Sequence, residues 1–83
     1  MSLPTRELRA YKKYVIEADP QKLPSKEWST YIVIRRDRPG GPKLRPFEDE
    51  ETSPTRISAI RHCFDFGKRI IDGEIEGLTV EDL

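Results

Sequence analysis

The clearest periodicity in the chain is helical and lies near its C-terminal end. In "TSPTRISAIRHCFDFGKRIIDG", Ile57, Ile60, Cys63, Phe64, Gly67, Ile70 and Ile71 recur at three- and four-residue spacing. At about 100° per residue they form one stripe roughly 140° wide. Ser58, Arg61, His62, Asp65, Lys68 and Arg69 fall on the other side. The pattern predicts Ser53 as N-cap and Pro54 at the first helical position, where its missing N–H costs nothing. Gly73 is placed as a left-handed stop. Gly67 inside the stripe costs about 1 kcal/mol of helix propensity relative to Ala, which implies close backbone approach to a sheet.

Upstream the period changes to two. "YKKYVIEA" (11–18) alternates Tyr14, Ile16 and Ala18 with Lys13, Val15 and Glu17. "EWSTYIVIRR" (27–36) alternates Trp28, Thr30, Ile32 and Ile34 with Ser29, Tyr31, Val33 and Arg35, and its β-branched and aromatic content favours a strand. Two prolines make "DPQKLPSK" a loop. "DRPGGPK" reads as a hairpin turn with Gly40 and Gly41 supplying positive φ. "LRPF" (44–47) is then a short third strand, and Pro46, which has no N–H to donate, confines it to an edge or a bulge. "EDEETS" reads as a polar connection. "PTRELRA" (4–10) fits one helical turn without demanding it.

These elements predict an α+β fold: a three-stranded antiparallel meander with one long C-terminal helix packed on one face. Residues 1–83 form one small domain, with 1–10 and 74–83 as flexible ends. The expected core is Tyr14, Ile16, Trp28, Ile32, Ile34, Phe47, Ile57, Ile60, Phe64, Ile70 and Ile71. The opposite sheet face keeps Val15, Tyr31 and Val33 and has no second helix to cover it. Half-apolar faces of this kind commonly mark an interface, so these three residues are the expected contact patch of a homodimer. The alternative cover is the tail "EIEGLTVEDL", folding back through Leu78 and Val80.

Composition sharpens this picture in two ways. Hydrophobic residues make up 35% of the 83 and charged residues 36%, so the core must be small. Lys+Arg and Asp+Glu are both 15, so no global field draws in polyanions or a membrane. "YIVI" is the longest uncharged apolar run, far short of a span. A single cysteine, Cys63, excludes an intramolecular disulfide. With no signal-peptide pattern, a reducing cytoplasm is the expected compartment.

Candidate chemistry is sparse. Arg35, Arg36, Arg38, Lys43 and Arg45 cluster around the hairpin, where they could track phosphates beside Tyr31 as a stacking platform. Glu48, Asp49, Glu50 and Glu51 follow at once, and a charged edge also discourages strand-on-strand pairing. That second reading is preferred. Tyr11, Tyr14 and Trp28 offer further stacking surface, but a domain this small needs Tyr14 and Trp28 in its core. His62 has Asp65 three residues on, within helical reach, yet no nucleophile accompanies them. A metal site needs three or four ligands, and His62 and Cys63 point to different sides, so no metal or other cofactor is expected. Cys63 on the apolar stripe reads as a small core residue.

Two strands with a Trp in the second, a Gly-Gly turn, a short strand ending in Phe and a helix closing on "FGKRIIDG" resemble a family of small uncharacterised bacterial proteins. The resemblance spans residues 11 to 73 and is most specific from Phe66-Gly67 to Ile71-Asp72-Gly73. It implies the fold and a bacterial origin and brings no activity. The function expected from the sequence is a small non-enzymatic interaction module, homodimeric and cytoplasmic. Weak binding of single-stranded nucleic acid through the basic hairpin is the alternative.

Overall fold

The computed structural model describes residues 6–83 and contains four strands and one helix: β1 (Glu7–Tyr11), β2 (Tyr14–Ala18), β3 (Trp28–Arg36), β4 (Lys43–Ser53) and α1 (Arg56–Ile71). The strands form one antiparallel sheet in the order β1-β2-β3-β4. The fold is α+β as the alternation predicts, but the sheet has four strands, not three. The missed strand is β1, where the sequence left an undecided helical turn whose first residues, Pro4 and Thr5, lie outside those described. β1 pairs with β2 through a two-residue turn at Lys12-Lys13, with Tyr11 opposite Tyr14. Lys12 adopts φ 55° there. Such turns normally carry Gly or Asn, so nothing in "YKKY" announces a hairpin.

β4 is longer than expected. It spans eleven residues and absorbs the acidic stretch assigned to a connection. Being outermost in the sheet, it tolerates Pro46, as the sequence requires. The pairing shifts between Ser29 and Thr30, whose partners are Thr52 and Asp49. Two extra residues, Glu50 and Glu51, thus bulge out of β4. The Thr30 hydroxyl donates to the Glu51 carbonyl at 2.8 Å and holds the bulge in place. The turn between β3 and β4 uses positive φ at Gly41 but not at Gly40.

The helix begins two residues later than the sequence suggests. Thr55 is the N-cap, and a reciprocal capping box with Ser58 satisfies both backbone donors. Ser53 instead ends β4, opposite Trp28. At the other end Gly73, with φ 74°, donates to the Ile70 carbonyl, and Glu74 donates to that of Arg69. That is the double bond of a glycine-terminated helix.

The buried helical residues are Ala59, Cys63, Phe64, Phe66, Gly67 and Ile70. Ile57, expected in the core, is 67% exposed. The stripe is centred farther round than the isoleucines suggest, because Ala59 and Phe66 face the sheet. A Cβ on Gly67 would fall 2.8 Å from Cγ2 of Ile16, so the helix crosses β2 where only glycine fits. Ile16, Ala18, Ile32, Ile34 and Phe47 supply the sheet side of the core. Trp28, the first residue of β3, is half-buried and lies outside this cluster.

The tail completes the core. Val80 and Leu83 are buried against it, with Ile75 and Leu78 packed alongside. Residues 74–83 are therefore not a loose end, and β1 gives order to the other end from Glu7 onward. No helix among the described residues is long and apolar enough to cross a membrane.

Candidate functional site

Opposed residues in an antiparallel ladder share a face, so the pairing fixes what each side of the sheet presents. Away from the helix, one row across the sheet reads Ala10, Val15, Arg35 and Leu44, and the next reads Leu8, Glu17, Val33 and Pro46. Tyr31 follows, opposite Glu48. Val15, Tyr31 and Val33 thus share one face, half-buried. Leu8 and Leu44 enlarge the patch and are 56% and 55% exposed. Sequence reasoning missed Leu8 and Ala10 because their strand went unrecognised. Leu44 and Pro46 were legible from the alternation of "LRPF" but were not followed across to Val33.

Besides Glu48, two charged groups lie on this face. Glu17 is nearly buried between Leu8 and Val33, and Arg6 pairs with it at 3.6 Å. Nε of Arg35 is buried and makes no hydrogen bond. Asp37 Oδ1 is 3.4 Å from it, close enough for Coulomb attraction but not aligned with the N–H. A buried donor without an acceptor is costly, and this one sits at the rim of the apolar patch.

The tail lies on the other side. The Tyr14 hydroxyl donates to the Val80 carbonyl at 3.4 Å. Arg36 Nη1 donates to the Leu83 carbonyl at 3.2 Å, and Arg38 donates to the same oxygen. Arg45 forms a fork with Asp82, at 2.7 and 2.6 Å, and also reaches the Thr79 carbonyl. Tyr14, Arg36 and Arg45 all point to the helix side. The basic cluster is therefore divided by the pleat: Arg35 on the open face, Arg36, Lys43 and Arg45 on the helix side, and Arg38 in the turn. Three of the five hold the tail. The acidic run Glu48 to Glu51 lies toward the far end of β4.

That far end builds a different constellation. Asp49 and Glu51, two apart on a strand, approach His62 on α1. Nε2 of His62 is 3.2 Å from Asp49 Oδ2 and 3.1 Å from Glu51 Oε2. Asp49 Oδ1 accepts the Glu50 N–H at 2.9 Å, which leaves Oδ2 turned to the imidazole. Asp65, within helical reach of His62, is exposed and is not among these contacts. The triad joins residues 11 and 13 apart across the strand–helix connection, and it depends on the bulge. A signal existed in the Asp-x-Glu spacing followed by a lone His, but only the fold makes it contiguous.

Cys63 is fully buried, and its thiol donates to the Tyr31 carbonyl at 3.5 Å. Burial pushes its pKa up, which disfavours the thiolate and any nucleophilic role. Tyr11, on the helix side, donates to Asp72 Oδ2 at 2.8 Å and so is occupied at the helix C-terminus. No family model matches the chain, and no curated protein and no solved structure matches it either.

Proposed function

We propose that this chain is a non-enzymatic interaction module whose open sheet face pairs with a second copy of itself. The observation that carries this reading is the position of the tail. Residues 74–83, the segment expected to cover Val15, Tyr31 and Val33 from within the chain, pack on the helix side instead. The open face therefore keeps Leu8, Val15, Tyr31, Val33 and Leu44 in adjoining rows, with Glu17 among them already paired to Arg6. A two-fold pairing would bury the rows against their own copy, with Tyr31 as the aromatic anchor. A bacterial cytoplasm is the setting that the single buried cysteine and the family resemblance support.

The alternative, weak nucleic-acid binding through Arg35, Arg36, Arg38, Lys43 and Arg45, loses Arg36, Arg38 and Arg45 to the tail. Molar mass by light scattering at about 100 μM, well above micromolar dissociation constants, tests the proposal. The expected result is twice the chain mass for wild type and the chain mass for Val33→Lys, with the fold retained in both. A monomeric wild type would overturn it.

A further inference from the structure

We propose that Asp49, Glu51 and His62 form a binding site for one divalent transition-metal ion, at the end of the sheet where β4 meets α1. Among the described residues theirs is the single group of three metal-ligating side chains whose ligand atoms all lie within 4.8 Å of one another.

The first argument is charge. Two carboxylate oxygens face the same ring nitrogen at 3.1 and 3.2 Å. If that nitrogen were an unprotonated lone pair, three electron-rich atoms would face one another. If it carries a proton, a single N–H serves two acceptors, and two negative charges meet at most one positive charge. A divalent cation between the three atoms satisfies all of them at once.

The second argument is distance. Zinc-type ions hold nitrogen and oxygen ligands at about 2.1 Å. Neighbouring ligands are then about 3.0 Å apart at a right angle and about 3.4 Å apart at a tetrahedral one. The two separations from His62, 3.1 and 3.2 Å, fall between these values, and the two carboxylate oxygens lie within 4.8 Å of each other. The third argument is orientation. Asp49 is fixed through its other oxygen by the Glu50 N–H, the kind of outer contact that aims a ligating carboxylate. The Glu51 side chain is 72% exposed, free to close onto an ion and leaving open positions for water. One imidazole with two carboxylates suits zinc, manganese or iron(II) better than magnesium or calcium, which favour all-oxygen shells.

Calorimetric titration of the full chain with Zn²⁺ tests this, with Mg²⁺ as the comparison. The expected result is one Zn²⁺ per chain and at least about tenfold weaker Mg²⁺ binding. Asp49→Asn and Glu51→Gln should each weaken Zn²⁺ at least about tenfold, since even losing a supporting contact costs that much. Glu74→Gln, in the tail, should leave it unchanged. Absence of one-to-one binding, or binding indifferent to Asp49→Asn, would overturn the proposal and leave a histidine held between two carboxylates. Wild-type protein gives a readout independent of substitution. Low Mn²⁺ should broaden the NMR signals of Asp49, Glu51 and the His62 ring first, and broadening centred on Asp72 to Glu76 would equally overturn the site.

Discussion

Gly67 and Ile70, three residues apart on one turn of α1, show what single positions contribute to this core. Gly67 lowers helix propensity by about 1 kcal/mol relative to Ala, yet a Cβ there would overlap the buried Ile16. Packing therefore outweighs propensity. Ile70 is 1% exposed and Ile57 67%, although both carry the same side chain at positions the sequence treats alike. Ile70→Ala should lower stability by about 2–5 kcal/mol, as truncation of a buried isoleucine does. Ile57→Ala should stay within about 0.5 kcal/mol, the range of ordinary surface changes. Urea melts of the two variants decide this: comparable midpoints would mean that the helix is rotated relative to the sheet. For a small domain with about 5 kcal/mol in hand, the first substitution is close to unfolding.

At the scale of elements, the tail is held by charge as well as by Val80 and Leu83. The Arg45 guanidinium beside Asp82 pulls that carboxyl from its ordinary 3.8 down to about 2. Hydrogen bonds from Lys12 and then Tyr11 lower Asp72 at the helix end in the same direction. A carboxylate whose folded pKa lies below its unfolded value stabilises the fold above the unfolded value. That contribution disappears as pH falls toward the folded one. Both contacts should therefore be intact at neutral pH and fail in acid, the Asp82 contact between about 4 and 2. Carboxyl NMR titration should find Asp82 near 2 in wild type and back near the ordinary value in Arg45→Ala. Faster amide exchange at Leu83, whose N–H donates to the Val80 carbonyl, should accompany that change. An unshifted Asp82 in wild type would show that the fork does not persist in solution.

The whole molecule is a thin slab, 39 × 36 × 17 Å across its Cα atoms. Its shortest dimension accommodates one sheet and one helical layer, the minimum for a buried core. Among the described residues the helix and tail pack on one side of the sheet, and small domains have little surface to leave unused. If the open face pairs with its copy as proposed, folding and association are linked. The thermal midpoint should then rise with protein concentration, and Val33→Lys should remove that dependence. A midpoint constant across a hundredfold concentration range would place the stability in the single slab alone.

The strand period, the glycine stop at Gly73, the edge position required by Pro46 and the close approach required by Gly67 were all legible along the chain. Each follows from local stereochemistry: alternation, a missing N–H, a missing Cβ. So was the sharing of one face by Tyr31 and Val33, since residues two apart on a strand must share it, whereas Val15 joins them only through the register of β2 on β3. The hairpin at Lys12-Lys13 was not legible, because pairing with β2 and the Asp72 contact to Lys12 hold a turn that its residues do not favour. Nor was the rotation of α1 that exposes Ile57, since several neighbouring stripes of that helix are apolar and only contact with Ile16 selects one. The partners of the basic hairpin and the meeting of Asp49, Glu51 and His62 were decided by tertiary structure alone. Both join residues distant along the chain, and no local rule of period or propensity reaches that far.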